Sequence, residues 1–153
     1  MRIDPNQRLS KNFTLGEFLA SDTAKKKGIK NEPTLVDIYH MTELCTFLLQ
    51  PIRDAWGSPI IITSGFRCKA LNAAVGGSQA SAHMRGYGVD IKPASGSYEE
   101  FEKFVVDFLQ KSDLKWDQVI RERTANGRSA WLHLGYRNSA GRQRMMLMDM
   151  IKK

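Results

Sequence analysis

The sequence predicts an α+β fold, one domain over residues 1–153 with a central, mostly antiparallel sheet and helices packed on it. Three features carry that expectation. Helical patterns come first along the chain, and strands mix with helices after them. "SYEEFEKFVVDFLQKS" sets Phe101, Phe104, Val105, Phe108 and Leu109 on one side of a helix. "DQVIRER", a turn around Asn126-Gly127 and "AWLHLGY" together read as a β-hairpin.

Taken in order, "TLGEFLAS" (Thr14 to Ser21) is a short helix with Thr14 as N-cap and Glu17 at the capping-box position. A longer helix begins near Thr34. Leu35, Ile38, Thr42, Cys45, Leu48, Leu49, Ile52 and Trp56 recur at three- and four-residue steps, as one face turned to a core requires. Pro51 is expected to kink or close it. "PIIITSGF" (Pro59 to Phe66) is continuous and β-branched, the pattern of a buried strand. "CKALNAAVG" is a short helix ending at Gly76 or Gly77, and a loop then runs into a strand over Gly86 to Ile91. "RMMLMDM" reads as a last strand whose methionines fill gaps in the core.

A chain of 153 residues with 42% apolar content suits a single core. No apolar run is long enough to cross a bilayer, so no membrane partner is expected. "MRIDPNQRLSKNFTLGEF" lacks the apolar stretch and small-residue cleavage site of a signal peptide, which predicts synthesis in the cytoplasm. The net charge of +7 favours an anionic partner. Nucleic acid is not expected, because Lys and Arg are scattered and the aromatics fall on core stripes. Cys45 and Cys68 form no CxxC or zinc-finger spacing. Cys45 lies on a helical apolar stripe, and a bond between the two is not required.

The chemistry centres on three histidines. His40 lies within the long helix and is assigned no role. His133 sits on a strand whose alternation puts Trp131, His133 and Gly135 on one face and Leu132 and Leu134 on the other. In "SQASAHMRGYGVDI", His83 occupies a loop and Asp90 lies between Val89 and Ile91. A carboxylate in such an apolar run is costly without a partner. Two imidazoles and one carboxylate are the donor set of a catalytic zinc, which keeps an open position. On residue types alone, the alternative stands that Asp90 pairs with an arginine and both histidines are satisfied polar residues.

"TSGFRCKALNAAVGGSQASAHMRGYGVDI" followed by "WLHLGY" resembles the zinc D-Ala-D-Ala carboxypeptidase and L-alanyl-D-glutamate endopeptidase family, peptidase family M15. It looks most like the small phage-lysin-type branch, with the pattern SGYR…LN…GG…S-x-H…G-x-x-x-D…WxH. The resemblance covers nearly the whole chain. It implies a peptidoglycan peptidase with one Zn²⁺ per chain held by His83, Asp90 and His133 on the sheet face. It also implies that Arg67 stabilises a substrate carbonyl or carboxylate and that Ser81 positions substrate or supports the site. The partner would be the peptidoglycan stem peptide, cut at D-Ala-D-Ala or at an L-Ala-D-Glu-type bond. The protein would act on the cell wall, as a monomer, in the service of a phage, a prophage or a cell.

One position departs from the pattern. Many members carry a general-base Glu three residues before the second His, and here that residue is Ala130. The hairpin offers a substitute. If Asn126-Gly127 is a two-residue turn, Ala125 opposes Arg128, Glu122 pairs with Trp131 and Ile120 with His133. Glu122 then shares a face with His133, one diagonal step away at roughly 7–8 Å between Cα atoms. A one-residue slip would present Arg121 or Arg123 instead. The alternatives are a solvated Glu within the "RER" run and, for the whole chain, an inactive metal-binding relative serving as a peptidoglycan-binding or phage structural component.

Overall fold

A computed structural model describes residues 2–137 and 148–152. A short antiparallel ribbon, β1 (Arg8–Ser10) and β2 (Phe13–Thr14), leads into α1 (Leu15–Leu19). The capping box forms as expected: Glu17 N–H donates to the Thr14 hydroxyl, and the Glu17 carboxylate accepts from Thr14 N–H. A second helix not foreseen from the sequence follows, α2 (Asp22–Lys27). Its signals were present: Ser21 accepts from Ala24 N–H, three lysines occupy the last turn, and Gly28 closes it in the left-handed conformation.

The long helix begins at Thr34, through a second capping box with Asp37, as α3 (Leu35–Leu44). It then widens into a π turn over Cys45–Leu49 and resumes as α4 (Gln50–Trp56). Pro51 therefore does not end the helix, which runs on to Trp56 after the π turn. It has no N–H for the preceding turn and its ring crowds that turn's carbonyl; the wider turn just ahead relieves both. Gln50, buried, holds this point to the ribbon, donating to Asn12 Oδ1 and accepting from the Ser10 hydroxyl and Asn12 N–H. Leu35, expected on the core stripe, is instead 69% exposed at the helix start.

The main sheet runs β3-β4-β6-β5-β7. It comprises β3 (Ile60–Ser64), β4 (Gly88–Pro93), β5 (Gln118–Thr124), β6 (Ala130–Gly135) and β7 (Met148–Lys152). The first four strands pair antiparallel, and β7 joins parallel to β5. β7 agrees with the expected last strand, whose remaining residues 144–147 and methionine packing lie outside the described residues. β3 is an edge strand rather than a fully buried one: Ile60 is buried while Ile61 is exposed. Between β3 and β4 come α5 (Lys69–Ala74) and a 3-10 turn (Ala82–Arg85); α6 (Tyr98–Lys111) follows β4.

One face of the sheet makes the core. Val89, Ile91, Val119, Leu132 and Leu134 are fully buried there against Phe101, Val105 and Leu109 of α6 and Leu48, Leu49 and Ile52 of the long helix. Each such side chain contributes roughly 1.5–3 kcal/mol of burial. Cys45 lies in this core and Cys68 at its margin, both as free thiols. Among the described residues no helix is long and apolar enough to cross a membrane.

Candidate active site

The opposite face of the same strands carries the polar residues. β4 and β6 pair with Val89 across from Leu134, Asp90 across from His133 and Ile91 across from Leu132. The period of two that buries the valine, isoleucine and leucines turns Asp90 and His133 the other way. The hairpin register is the one counted from the sequence, Ile120 against His133 and Glu122 against Trp131. The turn itself differs. Thr124 N–H bonds Ser129 O, Gly127 N–H bonds Thr124 O, and residues 125–128 form a four-residue loop with Gly127 at positive φ. The wider loop leaves the ladder unchanged because both closures are symmetric about the same centre.

His83 reaches this face from the 3-10 turn. The Ser81 hydroxyl accepts from His83 N–H at 3.2 Å and starts the turn. Gly86, at φ 80°, ends it, so the strand opens at Gly88 rather than at Gly86 as expected. Gly88 lies directly beneath: a Cβ there would fall 2.9 Å from His83 N.

Both histidines aim at one carboxylate oxygen. His83 Nε2 lies 3.2 Å and His133 Nδ1 2.9 Å from Asp90 Oδ1. Their far nitrogens are engaged elsewhere. His83 Nδ1 is 2.6 Å from Gly65 O, a carbonyl that can only accept, so Nδ1 carries the proton. His133 Nε2 is 3.0 Å from Gln118 Oε1, which fixes its tautomer in the same way. In the neutral rings, the two nitrogens facing Asp90 are therefore lone pairs. Two lone pairs and a carboxylate, within 4.8 Å of one another and all buried, are mutually unsatisfied unless a cation joins them. This donor set fits a zinc ion. Burial alone would push the Asp90 carboxyl up. With both rings protonated in place of a bound cation, the His83 charge, hydrogen bonds from His133 and His83, and the His133 charge outweigh it and hold Asp90 well below the usual carboxylate range.

A cleft of about 580 Å³ opens over this group. Arg67, Ser81, His83, Asp90, Glu122 and His133 all line it, so every site residue read from the sequence comes to one place. Glu122 is buried and accepts a hydrogen bond from Trp131 Nε1–H on its oxygen Oε2. Arg67 Nη2 donates to the Ser81 hydroxyl at 3.4 Å, and its backbone N–H bonds His83 O. Arg67 Nε is buried with no hydrogen-bond partner among the described residues. Burial pulls the guanidinium below its ordinary value, while the charges of Asp90 and Glu122 oppose that shift. Sequence reasoning missed Gln118 and the Trp131 indole as partners of the site. The hairpin count would have found both, since Gln118 pairs with Gly135 on the same face; a Cβ at Gly135 would lie 2.7 Å from Gln118 Oε1.

No curated protein matches the chain. A family model, Peptidase M15, matches residues 11–116, more than half of the chain. The match takes in Arg67, Ser81, His83 and Asp90 and ends before β5.

Proposed function

Because the chain belongs to the peptidase M15 family, we propose that it is a zinc-dependent peptidoglycan peptidase of the small phage-lysin type. It hydrolyses an amide bond of the stem peptide, as a D-Ala-D-Ala carboxypeptidase or an L-Ala-D-Glu-type endopeptidase, and residues 1–153 act as one catalytic domain. The observation that carries this reading is the convergence of the His83, Asp90 and His133 ligand atoms in a cleft that also holds a buried carboxylate and a guanidinium.

His83 through Nε2, His133 through Nδ1 and Asp90 would hold the ion, with Gly65 O and Gln118 fixing the two rings. Zinc bound there supplies Lewis acidity, polarising the scissile carbonyl and acidifying water. Glu122 takes the proton of the attacking water and returns it to the leaving amine. The Trp131 indole N–H orients that carboxylate. Arg67 places a positive charge where the carbonyl oxygen becomes anionic, or grips a terminal carboxylate. Ser81 both starts the turn that carries His83 and meets Arg67, which suits it to substrate positioning. The net charge of +7 favours approach to an anionic wall polymer.

Metal analysis of the purified chain should find about one zinc per molecule. Mass spectrometry of structurally defined muropeptides should show a hydrolysis product that a chelator abolishes and added zinc restores. A chain that takes up no zinc and releases no product refutes the reading; zinc uptake without turnover would point to a non-catalytic relative.

A further inference from the structure

His40, to which the proposed chemistry gives no part, touches the metal-site turn from behind. It lies on α3, and its Nδ1 is 2.7 Å from the backbone carbonyl of Arg85, the last residue of the 3-10 turn whose second residue is His83. A carbonyl only accepts, so His40 Nδ1–H is the donor. The His40 ring stacks on Tyr87, with centroids 3.9 Å apart and planes 15° from parallel. Tyr87 in turn donates its hydroxyl to Glu43 Oε1, one helical turn along α3 from Tyr39 and His40, at 2.9 Å. Between these two contacts the chain is pressed onto the helix: a Cβ on Gly86 would lie 2.4 Å from Asp37 O.

We infer that His40 is a positioning residue of the metal centre, acting through the Arg85 carbonyl to hold the turn that presents His83. The inference rests on the zinc reading above. The turn is only four residues long and its own backbone bonds are long, 3.2 Å from Met84 N–H to Ser81 O and 3.5 Å from Gly86 N–H to His83 O, so its orientation depends on what it is fastened to. On the cleft side His83 is fastened by its ring to Gly65 O and by its carbonyl to Arg67 N–H. On the far side the fastening is α3, through His40, Tyr87 and Gly86. Loss of the His40 donor hands the exposed Arg85 carbonyl to solvent and unfastens the end of the turn from α3, which lets His83 Nε2 shift relative to Asp90 and His133.

The test uses the full chain and zinc alone as the probe. His40→Phe keeps a ring for Tyr87 to stack on and removes the donor; His40→Asn keeps an N–H in the place of Nδ1. Chelator-competition titration should show zinc binding weakened about three- to tenfold in His40→Phe, the range one lost hydrogen bond supports. In His40→Asn it should return to within about twofold of wild type. The visible spectrum of the cobalt-substituted protein should shift in His40→Phe alone. A contribution to overall stability only would lower the melting temperature and leave zinc affinity and the cobalt spectrum unmoved at a temperature where the variant is folded. Should His40→Phe not fold, His40→Gln, with its donor displaced from the Arg85 carbonyl, carries the same comparison. Unchanged affinity and spectrum in the variant overturn this inference alone. A wild-type chain that binds no zinc overturns the metal reading and this inference with it.

Discussion

Substitution of Glu122 by Gln separates proton transfer from everything else the residue does. Gln has the same length and still offers an oxygen to the Trp131 indole N–H, so the β5–β6 ladder and the cleft floor keep their shape. Glu122 is not one of the three residues whose ligand atoms converge where a metal could sit, so zinc content should be unaltered. What disappears is the one function an amide cannot supply, accepting a proton from water in the transition state. A positioned general base is worth about 10²–10⁴ in rate, or about 2.7–5.4 kcal/mol of transition-state stabilisation. Because the loss falls on the transition state, kcat should drop at least about a hundredfold while KM stays within about threefold. Release of product from a defined muropeptide, followed by initial rates, measures both, and metal analysis on the same sample confirms that zinc remains. Trp131→Phe, which removes the N–H that orients the carboxylate together with part of the ring volume lining the cleft, should still cost less than Glu122→Gln. A Glu122→Gln protein that turns over within about threefold of wild type refutes the assignment.

Arg67→Ala should lower kcat/KM by at least about tenfold with zinc retained, and Arg67→Lys should recover only part of it, since an ammonium lacks the planar fork; steady-state kinetics on one muropeptide decides both. Gly86→Ala should destabilise the chain by more than about 1 kcal/mol, read as a lowered denaturant midpoint. Its backbone is at φ 80° and the new Cβ would meet a helix carbonyl at 2.4 Å that cannot move aside. Thiol titration of the native protein should modify Cys68 well before Cys45. Burial, reinforced by the charge of Glu17, pushes the Cys45 thiol up, and its side chain is wholly enclosed.

Much of this arrangement could be read from the chain because it depends on local signals. Thr14 with Glu17 marks a helix start through two reciprocal hydrogen bonds that need no tertiary context. The alternation in "AWLHLGY" separates Leu132 and Leu134 from His133 before any partner strand is known. The pairing of Glu122 with Trp131 followed from the position of the turn, even though four loop residues rather than two close it. Features set by distant neighbours escaped. Nothing within "PIIITSGF" says that β3 lies at the sheet edge, where Ile61 meets solvent. The widened turn ahead of Pro51 is a compromise between a proline and a helix anchored at both ends, and a proline alone reads as a kink. The role of Gln118 toward His133 is diagonal and cross-strand, visible only once the register is counted through to Gly135.

The hairpin divides the chain sharply into tolerant and intolerant positions. Residues 125–128 sit beyond the last ladder bond, so exchange or lengthening of that tip leaves each strand in frame. A single deletion inside β5 or β6 is another matter. It would carry Leu132 or Leu134 to the cleft face, His133 into the apolar layer, and Arg121 or Arg123 to the place of Glu122. Length variation among natural or engineered versions of this domain should therefore gather at the tip, and shortening within the strands should remove metal affinity, activity and folding stability together.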